Sequence, residues 1–365
     1  MSKVRPTVRI VAMLARIRRR LGTQGKEEMT RSASDGREVF GKGFPAFFVV
    51  GEPKSGTDWL TKILDSHPEV LCKPKGVFFG RHHRRERLKS AGGRMPPASL
   101  QNAILEDEYL RLWVERSGWT EDNDPEEHLT ELTRLAVDHF MGKELARNGK
   151  RMAGDKTPFF SQNVLSEMSE IYPEARVIHI IRDGRDVVVS KVHHLWKAEA
   201  RGEPVELLPE EIAKRDAFYQ DPGAFSASQE GGIFREERLR EWAESWRTRV
   251  GKAVEVGPAL FGSNYVEVRY EDLLERPDKE AARLFRFLGA DASSEVVEGC
   301  VEEASFEKGS GRQRGQDDYP LRHGKYRKGI AGDWKNVFIE RDTEIFKEVA
   351  GELLIGLGYE KDNTW

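Results

Sequence analysis

Cysteine is nearly missing from this chain: Cys72 and Cys300 are the only two in 365 residues. Two thiols exclude a disulfide framework and fit a reducing compartment. Long apolar runs are missing as well. No stretch approaches the roughly 18 to 20 residues that a bilayer-spanning helix needs, and the first residues lack an apolar core followed by a cleavage site. A soluble, cytoplasmic protein is therefore expected. A dominant charge sign is absent too, because 59 Lys and Arg nearly balance 62 Asp and Glu for a net charge of −3. Such a balance supplies no overall field for nucleic acid. Metal-ligand spacing does not occur either: His82-His83 and His193-His194 are adjacent pairs rather than i, i+4 pairs, and no second Cys lies near Cys72. No metal site is expected.

What is present begins with a hydrophobic share of 38%, enough for a sizeable core. Residues 1–22 carry Lys3, Arg5, Arg9, Arg16, Arg18, Arg19 and Arg20 without an acid, and Ile10, Leu14, Ile17 and Leu21 recur at helical spacing. That pattern predicts a basic amphipathic helix, which either touches an anionic membrane surface or a partner through residues 8–21 or is a solvated extension. Residues 23–42, with Gly, Ser, Lys and Glu, read as a linker. The expected organisation is thus a helix and linker over 1–42 and one domain over 43–365.

Within that domain strands and helices alternate. Ala46-Phe47-Phe48-Val49-Val50 is a short apolar run, as in a strand buried on both faces. A glycine-bearing loop follows, and from Thr57 onward Trp59, Leu60, Ile63 and Leu64 keep helical spacing until Ser66-His67-Pro68. Further helices are expected near 105–116, 127–147 and 161–171, from about 184, and near 236–256, 279–288 and 340–357. Further strands are expected near 151–154, 176–181 and 265–268. The alternation predicts a single three-layer α/β domain with a central, mainly parallel sheet flanked by helices. Residues 200–235 mix Gly, Pro, Gln and acids and read either as a lid or insertion that selects the acceptor or as a plain surface loop.

The loop after the first strand carries the chemistry. A strand, a glycine loop and a helix start present amide N–H groups and a positive helix end to an anion. Gly51 and Gly56 have the spacing of the common triphosphate loop, but Thr57 stands where that motif demands Lys, and the lysine comes earlier, at Lys54. A kinase or triphosphatase needs that later lysine and a Mg²⁺-holding hydroxyl. Lys54 instead suits a 5′-phosphate bearing a transferable group, where it neutralises charge on the bridging oxygen. Phe47 to Leu60, FFVVGEPKSGTDWL, resembles the 5′-phosphosulfate signature of sulfotransferases that use 3′-phosphoadenosine 5′-phosphosulfate (PAPS).

The resemblance implies a P-loop-like fold and sulfuryl transfer from PAPS to a hydroxyl or amine, the other readings being a non-catalytic PAP- or PAPS-binding relative and a P-loop kinase. It implies that Lys54, Ser55, Gly56 and Thr57 hold the phosphosulfate and that Trp59 stacks on adenine. Asp58 stands where the pattern has a second Thr, an acid beside a dianion. Arg182 and Ser190, eight apart after the strongest expected strand, match the family's 3′-phosphate motif, and a guanidinium can bond two phosphate oxygens at once. Arg327-Lys328-Gly329-Ile330-Ala331-Gly332-Asp333-Trp334-Lys335-Asn336 matches the family's R-K-G-x-x-G-D-W-K-N segment at every specified position. Tyr270 falls where the family places an adenine-contacting tyrosine, the other reading being a core or capping tyrosine.

The general base is less defined. Family members place a His or Glu in the segment after a second strand, which here runs from Leu71 to His83, and Lys75 and Gly76 occupy the expected places. His82 or His83 remains as a titratable candidate, or both belong to a basic surface stretch. Asp155, in Gly154-Asp155-Lys156-Thr157-Pro158, is a second candidate, assisted by Lys156, or else a helix cap. The acceptor is open among small molecules, lipids and glycans, as is the oligomeric state. A bacterial cytoplasmic setting, peripheral to the inner face of the membrane if residues 8–21 bind it, is the preferred one.

Overall fold

The computed structural model describes residues 44–74, 76–80, 99–120, 124–159, 163–203, 205, 207–221, 225, 232–316 and 326–365. The basic segment expected at 8–21, its linker, and His82 and His83 lie outside the described residues. Two compact units are distinguished, one of residues 45–80 and 141–365 and another that includes 81–140. In the second, α2 (Leu100–Leu105), α3 (Glu108–Arg116) and the first turns of α4 (Pro125–Asn148) gather Ile104, Val114, Leu129 and Ala136. The helix expected over 105–116 begins only at Glu108, because the Asp107 side chain accepts the Leu110 N–H at 2.8 Å and caps a new helix there.

The first unit is built on strands β1 (Ala46–Gly51), β2 (Val70–Pro74), β3 (Met152–Pro158), β4 (Arg176–Ile181) and β5 (Tyr265–Arg269). They form a five-stranded sheet in the order β2-β3-β1-β4-β5, and each neighbouring pair is parallel. Helix α1 (Thr57–Asp65) follows β1, α5 (Val164–Ile171) follows β3, and α6 (Gly184–Ala200) follows β4. Beyond them come α7 (Pro209–Gln220), α8 (Glu236–Phe261), α9 (Tyr270–Glu275), α10 (Pro277–Leu288), α11 (Ser294–Glu303), α12 (Phe306–Ser310) and α13 (Glu340–Gly356).

Strand alternation sorts the core into two sides. Phe47, Val49, Ile178, Ile180 and Val268 pack with Trp59, Leu60, Ile63 and Leu64 of α1, Leu284, Phe285 and Leu288 of α10, and Val297 and Cys300 of α11. Ile181 joins a separate cluster with Val188 and Trp196 of α6, Trp246 and Val250 of α8, and Phe346 and Leu354 of α13. Both cysteines are free and buried. The three-layer α/β expectation is met, with the sheet wholly parallel among the described residues.

Two differences from the sequence pattern have a physical cause. β3 was expected to end at 154 but runs to Pro158, because Asp155, Lys156 and Thr157 break the apolar run while still pairing with Phe48, Val49 and Val50 of β1. The stretch 200–235, read as a lid or insertion or as a plain surface loop, breaks the hydropathy pattern yet holds α7, with Pro209 at its first position and Glu211 accepting the Leu208 N–H at 2.9 Å. No helix among the described residues is long and apolar enough to cross a membrane.

The register of β1 against β3 depends on a close fit. Phe47 pairs with Gly154, and a Cβ at Gly154 would lie 2.3 Å from the Phe47 ring. Gly154→Ala should therefore cost about 2 kcal/mol by overpacking, read as a lower urea midpoint at unchanged m-value. An unchanged midpoint would show that the ring does not rest on that glycine.

Candidate functional site

The turn out of β1 is made by backbone that few residues tolerate. A Cβ on Gly51 would lie 2.6 Å from the Ile180 carbonyl oxygen, so glycine lets β1 approach β4 at its end. The loop then takes Lys54 to φ 81° and Gly56 to φ 95°, with Ser55 N–H donating to the Glu52 carbonyl at 3.0 Å. A lysine held in the left-handed region costs about 1 to 3 kcal/mol, a strain that proteins keep at functional sites. Gly56 is the N-cap of α1 and gives its first turn no side-chain acceptor, so the positive end of the helix opens without a side-chain cap.

Cations surround that opening. Burial pulls the Lys54 ammonium down to about 8; Asp58 opposes the shift, while Lys197, Lys156 and Arg182 add to it. Asp58, the acid that the motif did not explain, accepts from the Lys156 ammonium at 2.6 Å. Lys156 is the more buried partner, at 10% side-chain exposure against 47% for Asp58. Asp58 is thus the counter-ion of a lysine that β3 brings to the end of the loop.

Arg182, just past β4, joins this loop to the C-terminal segment. Its guanidinium donates to the Lys54 carbonyl at 3.2 Å and to the Ile330 carbonyl at 3.1 Å. It also lies 4.2 Å over the Tyr270 ring. Behind it, Asp186 of α6 is 3.6 Å from the guanidinium and accepts the Gly332 and Trp334 N–H groups at 2.7 and 2.9 Å. The segment 327–336 is therefore fixed through its backbone. Within it, Asp333 pairs with Arg327 at 2.5 Å and Lys328 at 3.1 Å. Burial acts to raise the Asp333 carboxyl, but Arg327, Asn336 and Lys328 overcome it and hold the group down at about 2.

The other end of the cleft is aromatic. Trp59 meets Tyr270 edge-on at 5.7 Å and anchors its indole N–H on the Ala304 carbonyl at 3.0 Å. Arg314 lies 5.8 Å over the Trp59 ring, and Phe306 meets Tyr326 at 5.9 Å. Glycine is again needed for closeness: a Cβ on Gly56 would lie 2.5 Å from the Tyr270 ring, and one on Gly329 2.5 Å from Phe306. The cleft encloses about 300 Å³, at the small end of ligand sites.

Lys54, Gly56, Thr57, Asp58, Trp59, Arg182, Ser190, Tyr270, Arg327, Lys328 and Gly329, dispersed over the sequence, all line this one cleft. Ser55 is fully buried in the loop beneath, its Oγ without a hydrogen-bond partner, as is Arg182 Nε. Asp155 is not brought into the cleft. Its side chain lies on the sheet face opposite Lys156, where it accepts from the Gly76 N–H at 2.8 Å and the Thr157 hydroxyl at 3.1 Å. Burial pushes its carboxyl up to about 7 against those two bonds and Lys156. Lys73 of β2 faces Glu144 at 3.6 Å.

The sequence alone did not reveal His194, Phe306, Arg314 and Tyr326 as lining residues. His194 follows Ser190 by one helical turn, a spacing that could have indicated it. Phe306 and Arg314 come from a stretch without a motif and carried no such signal. Among the described residues no group of His, Cys, Asp and Glu is arranged to hold a metal ion.

Asp186 is the most consequential buried acid here, fully enclosed with one guanidinium and two amides. Asp186→Ala should cost about 3 kcal/mol, since it leaves Arg182 without its carboxylate and two amides without an acceptor. Urea denaturation measures this, and a loss below 1 kcal/mol would contradict the role.

Comparison with known proteins bears on this arrangement. Residues 44–358 match the sulfotransferase domain family. Protein-tyrosine sulfotransferase 2 of Gallus gallus is 24% identical over 289 residues, covering 78% of this chain and 62% of that protein. Sulfotransferase 1A1 of Mus musculus is 26% identical over 200 residues, covering 50% and 57%. The chain thus matches about three fifths of the length of these relatives. The sulfotransferase domain of the Synechococcus PCC 7002 olefin synthase aligns with TM-score 0.46 and 16% identity over 88% of this chain and 98% of that one. Since the matched region runs from β1 through the loop, Arg182 and the 327–336 segment, the chain belongs to the sulfotransferase family.

Proposed function

We propose that the protein transfers a sulfuryl group from PAPS to a hydroxyl or amine acceptor and releases 3′-phosphoadenosine 5′-phosphate (PAP). One observation carries this reading: a single cleft joins an uncapped helix start with Lys54 and Lys156 to a second cation group at Arg182, Arg327 and Lys328, with aromatic rings alongside. Two phosphate-sized anion sites beside an aromatic wall fit a 3′,5′-bisphosphorylated adenosine. The partnerless Ser55 Oγ and Arg182 Nε supply donors for such anions, because buried polar atoms are normally satisfied.

In this reading the amides of Gly56, Thr57 and Asp58, with the Ser55 hydroxyl, Lys54 and Lys156, hold the 5′-phosphosulfate. Arg182, Ser190, Arg327, Lys328 and the Gly329 backbone hold the 3′-phosphate. Trp59 and Tyr270, with Phe306, Tyr326 and Arg314, enclose the adenine. The acceptor oxygen or nitrogen attacks sulfur in line, the sulfur bond to the bridging oxygen breaks, and its electron pair stays on the 5′-phosphate of PAP. Lys54 offsets the charge that develops on that oxygen. The acceptor class, small molecule, lipid or glycan, is left to assay.

PAP at a hundredfold its Kd should stabilise the fold by about 2.7 kcal/mol, while ATP and ADP at the same concentration should not. Stabilisation by ATP without PAP would overturn the proposal. Lys54 adds a pH signature. It titrates near 8 in the free protein, so the ammonium is present below that pH and lost above it. kcat/KM for PAPS should then fall as pH rises past 8, and Lys54→Arg should remove that limb.

A further inference from the structure

We propose that His194 of α6 is the general base that takes the proton from the acceptor. The proposal rests on the sulfuryl-transfer reading above and deepens it, because that reading needs a proton acceptor and the cleft holds only one neutral nitrogen base among its described lining residues.

The lining is otherwise unsuited to the task. Lys54, Lys156, Arg182, Arg314, Arg327 and Lys328 are cations, and the one carboxylate among the described lining residues, Asp58, is engaged by Lys156 at 2.6 Å. Tyr270 has its face covered by Arg182, and a phenol is a weak base near neutral pH. Asp155 lies outside the lining and is bonded to Gly76 and Thr157. His194 lines the cleft, is exposed to it, and stands one helical turn beyond Ser190. Its neighbour His193 is different in kind: it is enclosed among Trp196, Phe218 and Tyr219 and has no access to the cleft. Helical geometry separates the two, since adjacent positions point about 100° apart.

The charges around His194 favour the neutral imidazole. Partial burial depresses its pKa to about 4, and the ammonium of Lys54 in the loop adds to this, as do Arg201 at the end of α6 and Lys197 within it; Glu203, two residues further on, acts the other way. A neutral ring has a free lone pair through the physiological range. In the transfer step the acceptor O–H or N–H bond breaks and its proton goes to that lone pair. The new bond to sulfur forms as the bond to the bridging oxygen breaks, and the imidazolium later returns the proton to solvent. The positive charge that arises on His194 is offset by the negative charge of the departing sulfuryl and PAP oxygens.

The experiment uses the full chain with PAPS and three acceptor probes, 2-naphthol, an alkyl alcohol and aniline. His194→Gln and His194→Ala should lower kcat by about a hundredfold or more, the usual weight of general base catalysis. The Kd for PAP should change less than about twofold, since the donor contacts stay in place. Added imidazole should restore turnover in His194→Ala and not in His194→Gln, a readout that a purely structural side chain would not give. Wild-type kcat/KM should be level from about pH 5 to 7, with its acid limb near 4. Retention of a tenth of wild-type kcat by both variants, a proportional loss of PAP affinity, or absence of imidazole rescue each overturns the assignment. A wild-type chain that binds PAP but converts none of the probes overturns it too. If PAP itself fails to bind, the failure lies with the sulfotransferase reading instead.

Discussion

One guanidinium ties the cleft together. Arg182 donates to the Lys54 carbonyl on one side and the Ile330 carbonyl on the other, so a loop from the first strand and a segment near the C-terminus are held by the same planar group. A lysine in that place, a flexible point charge, could not present two fixed donors in one plane. Asp186 completes the arrangement by bonding the Gly332 and Trp334 amides while facing Arg182. Loss of either partner frees the 327–330 backbone, and with it the cations that the cleft needs.

The second consequence concerns charge. The proposed site for two anions carries many cations, and with no anion bound they repel one another. The protein limits this by local pairing: Lys156 rests on Asp58, and Arg327 and Lys328 rest on Asp333. Asp58, which looked out of place beside a dianion, is understood this way. Lys54 is brought to about 8 by its burial and by Lys197, Lys156 and Arg182 nearby, with Asp58 offsetting only part of this. The lysine most easily deprotonated is also the one placed at the bond to be broken in the proposed transfer.

Much of this was legible in the residues. The run at 46–50, the glycines at 51 and 56 and the displaced Lys54 announced a strand, an anion loop and a helix, since short-range sterics and periodicity fix such features. The Arg182 and Arg327-Lys328-Gly329 motifs were legible for the same reason, being local. β3 was read too short because Asp155 to Thr157 combine strand backbone with polar side chains, and a hydropathy pattern records only the side chains. Asp155 and Lys156 looked like joint candidates as sequence neighbours, yet strand alternation sends them to opposite faces.

The sequence by itself determined the class of fold, the anion loop and the identity of the family, because each is written in contiguous residues. Only the tertiary structure decided which side chains share the cleft. It brought Asp58 to Lys156, 98 residues away, and Arg182 to Ile330, 148 residues away. It also turned His194 into the cleft while burying His193. Pairings across such distances depend on how strands and helices pack, and sequence order carries little of that information.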